Sequence, residues 1–373
     1  MRIALVTNNY TPYKTGVVNS LQALIPHLQA QGHEILLITL SFLPEHDDPP
    51  YVRRLQCPIK FKYYKKPMAI PWRAYHQMRA LLNAFKPELI HTHHPFLLGD
   101  TAHTIAHESR LPLIFTYHSV YEAYAHYIPL PRYWVEQLIT KRVLAFCKQV
   151  SHVIVPSTML AQYLNTQGIA QPVSVIPSGL RTHFMHDHMP TKSVPADTVQ
   201  LLTVGRFAKE KNMEAALELM TQLPLRYQLS LVGFGAQQEA LEHHAYQKLG
   251  LSPERVRFII SPAQSQLLEL YRAAHLFIFT SSSDTQGIVL AESLACATPV
   301  IALDGIGQRD AIINGMNGYI VDTICAMATC IESIVHDQTL AQLQYNAWRS
   351  AQRYQAQLLA QHVLAVYHQV IAR

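Results

Sequence analysis

Met1-Arg2-Ile3-Ala4-Leu5-Val6-Thr7-Asn8-Asn9 opens the chain, and its reading decides the fold. Ile3 to Val6 is an unbroken apolar run of strand length, the pattern of a strand covered on both faces. It turns polar too early for a secretory signal peptide. From Gly16 to Gln31, Val17, Leu21, Leu24, Ile25 and Leu28 recur near helical spacing, and Gly32 supplies a stop. Further strands are expected at Glu34–Leu40, Glu88–His91, Leu113–Tyr117 and His152–Pro156, with helices between them. Strands alternating with helices predict parallel βαβ units joined by right-handed crossovers.

The rhythm breaks after Arg181, where prolines and three histidines replace apolar residues. It resumes at Val199–Val204, Gln228–Val232, Val256–Ile259, His275–Phe279 and Pro299–Ala302, and Ala351–Arg373 reads as one helix without glycine or proline. The expected organisation is an α/β chain with two Rossmann-like domains whose parallel sheets face a central cleft. Residues 1–182 form the first, 183–198 a linker, 199–350 the second, and 351–373 a helix returning to the first. In such sheets ligands bind at the carboxyl ends of the strands.

Composition narrows the class. The 373 residues are 49% hydrophobic and 15% charged, enough apolar content for large cores and too much for a disordered chain. No run of about 18 apolar residues predicts a membrane span. Cys57, Cys147, Cys296, Cys325 and Cys330 are odd in number and form no Cys-x-x-Cys pair, so neither a disulfide framework nor a cysteine zinc site is expected. A reducing cytoplasm is the expected compartment. The net charge of +5 is uneven: residues 1–190 hold 17 Lys/Arg against 10 Asp/Glu, and the rest 13 against 15. Residues 49–87 carry nine basic residues and no acid: Arg53, Arg54, Lys60, Lys62, Lys65, Lys66, Arg73, Arg79 and Lys86. Tyr51, Phe61, Tyr63, Tyr64, Trp72 and Tyr75 are interleaved. This mixture suits an anionic membrane surface; it would also suit nucleic acid, or be a solvated basic face with no partner.

Glycines mark candidate ligand positions just past strands: Gly16, Gly205, Gly233 and Gly287. A glycine there admits a ligand to the backbone, although strand-to-helix turns use glycine for geometry as well. Neither Gly-x-Gly-x-x-Gly nor a Walker sequence occurs, so the usual dinucleotide and P-loop fingerprints are absent. Gly205-Arg206-Phe207-Ala208-Lys209-Glu210-Lys211-Asn212 places two cations past a strand end, where Arg206 and Lys211 could clamp a diphosphate. Ser281-Ser282-Ser283-Asp284-Thr285-Gln286-Gly287-Ile288-Val289-Leu290-Ala291-Glu292-Ser293 sets two acids astride a helix start, and carboxylates accept paired hydroxyls of ribose or sugar rings. Asp284 would also serve as a helix cap. Ser281–Ser283 lacks the nucleophile-elbow sequence. The histidine groups at 91–94 and 183–188 are metal candidates by type, but with 21 histidines such clusters arise by chance.

These segments together resemble the retaining glycosyltransferases of the GT-B fold, family 4, over nearly the whole chain. Tyr10-Thr11-Pro12-Tyr13-Lys14-Thr15-Gly16-Val17 is similar to the family's acceptor-side glycine loop, and His91-Thr92-His93-His94-Pro95-Phe96 to its histidine motif. Thr116-Tyr117-His118-Ser119, Val155-Pro156-Ser157, Ile176-Pro177-Ser178-Gly179 and Asn314-Gly315-Met316-Asn317-Gly318-Tyr319 complete the set. The resemblance implies that Arg206 and Lys211 hold the donor diphosphate, that Glu292 binds ribose, and that backbone at Gly287 and Ile288 approaches the sugar and phosphate. It also implies that His118 touches the donor sugar and that the base lies near Phe258–Ser261. His118, Asp284, Arg206 and Lys211 are then the catalytic set, and Gly16, Gly205 and Gly233 border the donor. Asp284 stands where the family commonly has Glu, and Val17 where it often has a second glycine. Thr116 to Pro129 resembles the subgroup that glucosylates diacylglycerol.

The resemblance therefore implies a hexosyltransferase using a nucleotide-sugar, UDP-glucose, and a lipid acceptor. It implies a peripheral enzyme on the cytoplasmic face of the membrane, with Arg53, Arg54, Lys60, Lys62, Lys65, Lys66, Trp72 and Arg73 at the surface. No Asp-x-Asp occurs, so neither a divalent metal nor another cofactor is expected to be required, and nucleic acid is not expected as a partner. The alternatives are a family-4 transferase of lipopolysaccharide or capsule synthesis, a nucleotide-sugar epimerase, and an inactive binding module.

Overall fold

The computed structural model describes residues 1–373 except 14, 43–46, 64–65, 122–124, 126–127, 129, 193–196 and 282–283, and the side chains of 62, 63, 66 and 67. The chain divides into two compact units, Met1–Arg181 with Ala356–Arg373, and Thr182–Gln355.

The first unit runs β1 (Arg2–Val6), α1 (Gly16–Ala30), β2 (Glu34–Leu40), β3 (Val52–Leu55), β4 (Ile59–Tyr63), β5 (Lys66–Ile70), α2 (Ala74–Phe85), β6 (Leu89–Thr92), α3 (Leu98–Ser109), β7 (Leu113–Thr116), α4 (Arg132–Cys147), β8 (His152–Val155), α5 (Thr158–Thr166) and β9 (Val173–Val175). Seven strands form a parallel sheet in the order β3-β2-β1-β6-β7-β8-β9, and β4–β5 is a separate antiparallel hairpin. β1 is central, and its side chains alternate between faces. Ala4 and Val6 join Met78, Leu82, Leu98, Ala102, Val143 and Phe146 from α2, α3 and α4. Ile3 and Leu5 join Val18, Leu21 and Ile25 of α1 in a second core. The Thr15 hydroxyl caps α1 by accepting from the Val18 amide.

The second unit runs β10 (Val199–Arg206), α6 (Met213–Gln222), β11 (Tyr227–Phe234), α7 (Gln238–His243), β12 (Val256–Ile260), α8 (Gln264–Ala273), β13 (Leu276–Phe279), α9 (Ile288–Ala295), β14 (Val300–Leu303), α10 (Gln308–Ala311), β15 (Gly318–Val321), α11 (Ile324–His336) and α12 (Leu340–Ala351). Its six parallel strands are ordered β12-β11-β10-β13-β14-β15. The order reverses about β10, so the ends of β10 and β13 flank the switch point where such sheets take ligands. Gly205 and Gly233 are partners at the ends of β10 and β11. A Cβ on Gly233 would lie 1.8 Å from the Gly205 carbonyl oxygen, so the close approach of these strand ends requires glycine.

Two expected boundaries differ. The segment 183–198 belongs to the second unit, and named contacts bind it there. His186 meets the Arg272 guanidinium at 2.8 Å, and its carbonyl accepts from the Trp348 indole at 3.4 Å. Lys192 Nζ donates to the carbonyls of Tyr271, Arg272 and Ala274 at 2.8–2.9 Å and approaches the Thr298 hydroxyl at 2.5 Å. The ammonium thus satisfies the carbonyl end of α8, where a cation also suits the helix dipole. Lys192→Met is expected to destabilise the second unit by about 2–4 kcal/mol, since buried carbonyls lose their donor; urea unfolding checks it, and a loss below ~0.5 kcal/mol would refute the role.

The tail is also not one helix. α12 ends at Ala351, Gln352–Tyr354 form a short turn, and Gln355 is extended. Tyr354 is buried, and Arg353 donates to the carbonyls of Asp310 and Ala311, which holds the turn in the second unit. A new helix, α13 (Ala356–Ile371), then lays Leu359, Val363, Leu364, Val366, Tyr367 and Val370 into the core of the first unit beside α1.

Candidate active site

In the first unit, polar side chains gather where the apolar strands end. The Asn8 amide N–H donates to His94 Nδ1 at 3.2 Å, its side chain donates to the Phe96 carbonyl, and its Oδ1 accepts from the Leu98 amide. Asn8 thereby staples the end of β1 to the start of α3. His93 Nδ1 lies 2.8 Å from His118 Nε2. His91 is enclosed between the hydroxyls of Tyr367 and Thr116. Burial pushes the imidazoles of His91 and His118 down to about 3 and that of His94 to about 4, and His93 lies well below the ordinary value, so all four are neutral near pH 7. Gly16 is the first residue of α1, and no atom lies within 4 Å of the position its Cβ would take.

In the second unit, the end of β10 carries Arg206, and the short turn after it carries Lys211. Each cation has a carboxylate companion. Arg206 lies 2.9 Å from Glu210, one helical turn on, and Lys211 Nζ lies 2.6 Å from Asp284. Burial alone would raise the Asp284 carboxyl; the Lys211 ammonium, with Ser281 and Arg206, outweighs it and holds the group below its ordinary value. The Ser281 hydroxyl donates to the Glu210 carbonyl and the Thr280 hydroxyl to that of Lys211, so the loop after β13 is pinned to the turn after β10. Gln308 donates to the carbonyls of Ser281 and Leu303.

Gly287 caps α9 at φ +62, a left-handed conformation that favours glycine, and Ile288 opens the helix with its amides unpaired by intrahelical bonds. Glu292 is buried in α9, and its Oε2 accepts from the Tyr271 hydroxyl at 2.9 Å. Arg206, Lys211 and Asp284 are therefore brought together beside the start of α9. Two positive and two negative side chains leave this group near neutral, with helix amides adding positive potential. Sequence reading missed Glu210 and Tyr271. The first was signalled by its i,i+4 spacing from Arg206; the second carried no local signal.

The basic stretch is sorted by its contacts. Arg54 is not a surface cation. Its guanidinium bonds Asp48 at 2.6 and 2.8 Å and the carbonyls of Thr11 and Leu40, because an acid just outside the acid-free window folds back onto it. Arg79 pairs with Glu108 of α3. Arg53 is exposed and donates to the carbonyls of Pro50 and Val52. Lys60 and Arg73 are exposed, and Trp72 is 66% exposed. Lys65 lies outside the described residues, as do the side chains of Lys62 and Lys66. Ile59, Phe61, Met68 and Ile70 of the hairpin face solvent, as do Leu130, Tyr133, Trp134 and Leu138 at the start of α4. α2, α3 and α4 share one core, and Arg79–Glu108 and Arg142–Asp100 join them in that order. The hairpin precedes α2, so both exposed apolar sets lie at the carboxyl edge of the sheet on this face.

Among the described residues no group of three or more His, Cys, Asp or Glu is placed to hold a metal ion, and no helix is long and apolar enough to cross a membrane.

The Anabaena HepE protein, solved in complex with UDP-glucose, has the same fold, with a TM-score of 0.75 at 17% identity over 99% of this chain and 100% of that one. The fold is the GT-B fold of two parallel-sheet α/β units. Residues 14–184 match the model of Glycosyltransferase Family 4 and residues 186–351 that of Glycosyl transferases group 1, so the chain is built of two glycosyltransferase family domains. The alpha-monoglucosyldiacylglycerol synthase of Streptococcus pneumoniae is 29% identical over 81% of this chain and 71% of its own length. That of Acholeplasma laidlawii is 26% identical over 81% and 80%.

Proposed function

We propose that this enzyme transfers glucose from UDP-glucose to a hydroxyl of diacylglycerol, with retention of configuration, at the cytoplasmic face of a membrane. The observation that carries the reading is the placing of Arg206 and Lys211 beside the amino end of α9, with Glu292 fixed inside that helix. When the anomeric C–O bond to the diphosphate breaks, negative charge grows on the leaving phosphate. Arg206, Lys211 and the α9 amides stabilise it where it develops. The acceptor hydroxyl attacks the anomeric carbon on the face the diphosphate leaves, and its proton passes to a phosphate oxygen. Glu292 holds the ribose, the end of β12 borders the base, and His118 touches the sugar. Asp284, one methylene shorter than the Glu common in the family, is held by Lys211 in reach of the same ring.

The lipid acceptor is supported by the likeness to alpha-monoglucosyldiacylglycerol synthases and by the apolar edge formed by the hairpin and α4. Aromatic and aliphatic side chains there would enter the interface, and each nearby cation contributes about 1 kcal/mol at an anionic surface. The test is incubation with UDP- and GDP-sugars and vesicles of anionic phospholipid containing diacylglycerol, with product masses read out. The expected product is diacylglycerol one hexose heavier, formed from UDP-glucose. The protein should pellet with the vesicles at low salt and leave them at high salt, and Trp72→Ala with Trp134→Ala should weaken pelleting about tenfold or more. Conversion of the donor without acceptor, or indifference to vesicles at low salt, would overturn the reading.

A further inference from the structure

Side chains at the ends of β6 and β7 form a ladder of imidazoles. His91 is held at both ends, with Nδ1 2.7 Å from the Tyr367 hydroxyl and Nε2 2.6 Å from the Thr116 hydroxyl. His93 packs against it with ring centroids 4.3 Å apart, and against His118 with centroids 5.1 Å apart and planes at 25°. His93 is 1% exposed, and its Nε2 has no hydrogen-bond partner. Among the described residues the titratable groups facing these rings are His94 beside them, His152 on β8 and Tyr367 on α13.

The 2.8 Å contact between His93 Nδ1 and His118 Nε2 joins two ring nitrogens, so one of the two carries the hydrogen and the other is bare. If His118 donated, His93 would carry its own hydrogen on Nε2, a buried N–H with no acceptor. If His93 donates, its Nε2 is instead a bare lone pair. A buried donor without a partner is the rarer and costlier of the two. We propose that His93 is a positioning residue: it donates from Nδ1 to His118 Nε2 and fixes His118 as the neutral tautomer protonated on Nδ1. The inference rests on the reading of His118 as the donor-sugar contact, and it specifies that contact. His118 meets the sugar as an uncharged hydrogen-bond donor through Nδ1, matched to a hydroxyl oxygen, while the positive charge for the diphosphate stays with Arg206 and Lys211.

The test uses the full chain labelled with 15N-histidine, and His118→Gln assigns the signal. Long-range 1H–15N correlation should show His118 Nδ1 protonated and Nε2 bare near pH 7. The reverse pattern, or a charged ring, overturns the proposal without reference to activity. His93→Asn keeps an N–H donor near the Nδ1 position and should hold kcat within about threefold. His93→Leu removes the donor; kcat should fall about 10- to 100-fold with donor KM little changed, the scale expected when a reacting contact is misplaced, and the His118 signal should become a tautomer mixture. The expected tautomer together with unchanged turnover in His93→Leu would instead overturn the sugar contact of His118.

Discussion

Arg206→Ala is expected to lower kcat/KM for the donor by about two to three orders of magnitude, because a charge-assisted contact to a leaving diphosphate is worth about 3–4 kcal/mol in the transition state. The loss should exceed that of one cation. Glu210 lies 2.9 Å from Arg206 with its carboxylate largely enclosed, and removal of the guanidinium turns that negative charge toward the phosphates. Glu210→Gln in the Arg206→Ala background should therefore recover about tenfold without restoring full turnover. Lys211→Ala should cost a similar factor by a different route. Asp284 loses the cation that holds its carboxyl low, and burial then drives it upward. Lys211→Ala should thus bring the titration of Asp284 toward neutral pH, whereas Arg206→Ala shifts it less, since Arg206 is the weaker influence. Circular dichroism shows whether the fold survives. Near-normal turnover in either single variant would refute the clamp.

The parts of this site that sequence could place share one feature: they lie where an apolar run stops. Parallel strands covered on both faces read as unbroken hydrophobic stretches, so β1, β2, β10 and β13 stand out, and the residues following them are located automatically. Arg206, Lys211, Asp284 and His118 were accessible for that reason. The short edge strands β3, β9 and β15 carry three or four residues each and little contrast with neighbouring loops. The hairpin Ile59–Ile70 mixes lysines with aromatics and reads as charge composition rather than as a strand pair. Long-range partners left no local trace. Tyr367 reaches His91 across 276 positions, and Lys192 reaches Thr298 across 106. The same limit explains Arg54: a count of charges within a window is blind to Asp48 just outside it.

Acidification is expected to unfold the first unit before the second. His91 and His93 are fully enclosed and neutral in the folded chain, with burial the largest cause of their lowered values. In the unfolded chain each titrates near 6.5. Above that pH both states are neutral and the rings contribute nothing to the pH dependence. Below it the unfolded chain takes up protons that the folded chain refuses, so stability falls with pH, for His91 until its folded value of about 3 is reached. Each ring withdraws about 1.4 kcal/mol per pH unit, so the pair removes about 4 kcal/mol between pH 6.5 and 5. His94 and His118, partly exposed, add to this in the same direction. Against a domain stability of about 5–15 kcal/mol, that is a large share. Among the described residues of the second unit, His186 is shifted this way at a less buried site, and Lys192, lowered by burial to about 7, has taken up most of its proton before pH falls into this window. The lowered carboxyls of that unit, Asp284, the partly exposed Asp304 and the exposed Glu254 and Asp337, contribute stability that is lost only as pH falls through the ordinary carboxylate range and below. Hydrogen exchange read by mass spectrometry at pH 7, 6 and 5 should show β1, β6 and β7 losing protection first, with β10 and β11 still protected. Simultaneous loss in both units, or protection of the first unchanged at pH 5, would mean that the histidine ladder is hydrated and charged in solution. The neutral His118 on which the sugar contact depends would fall with it.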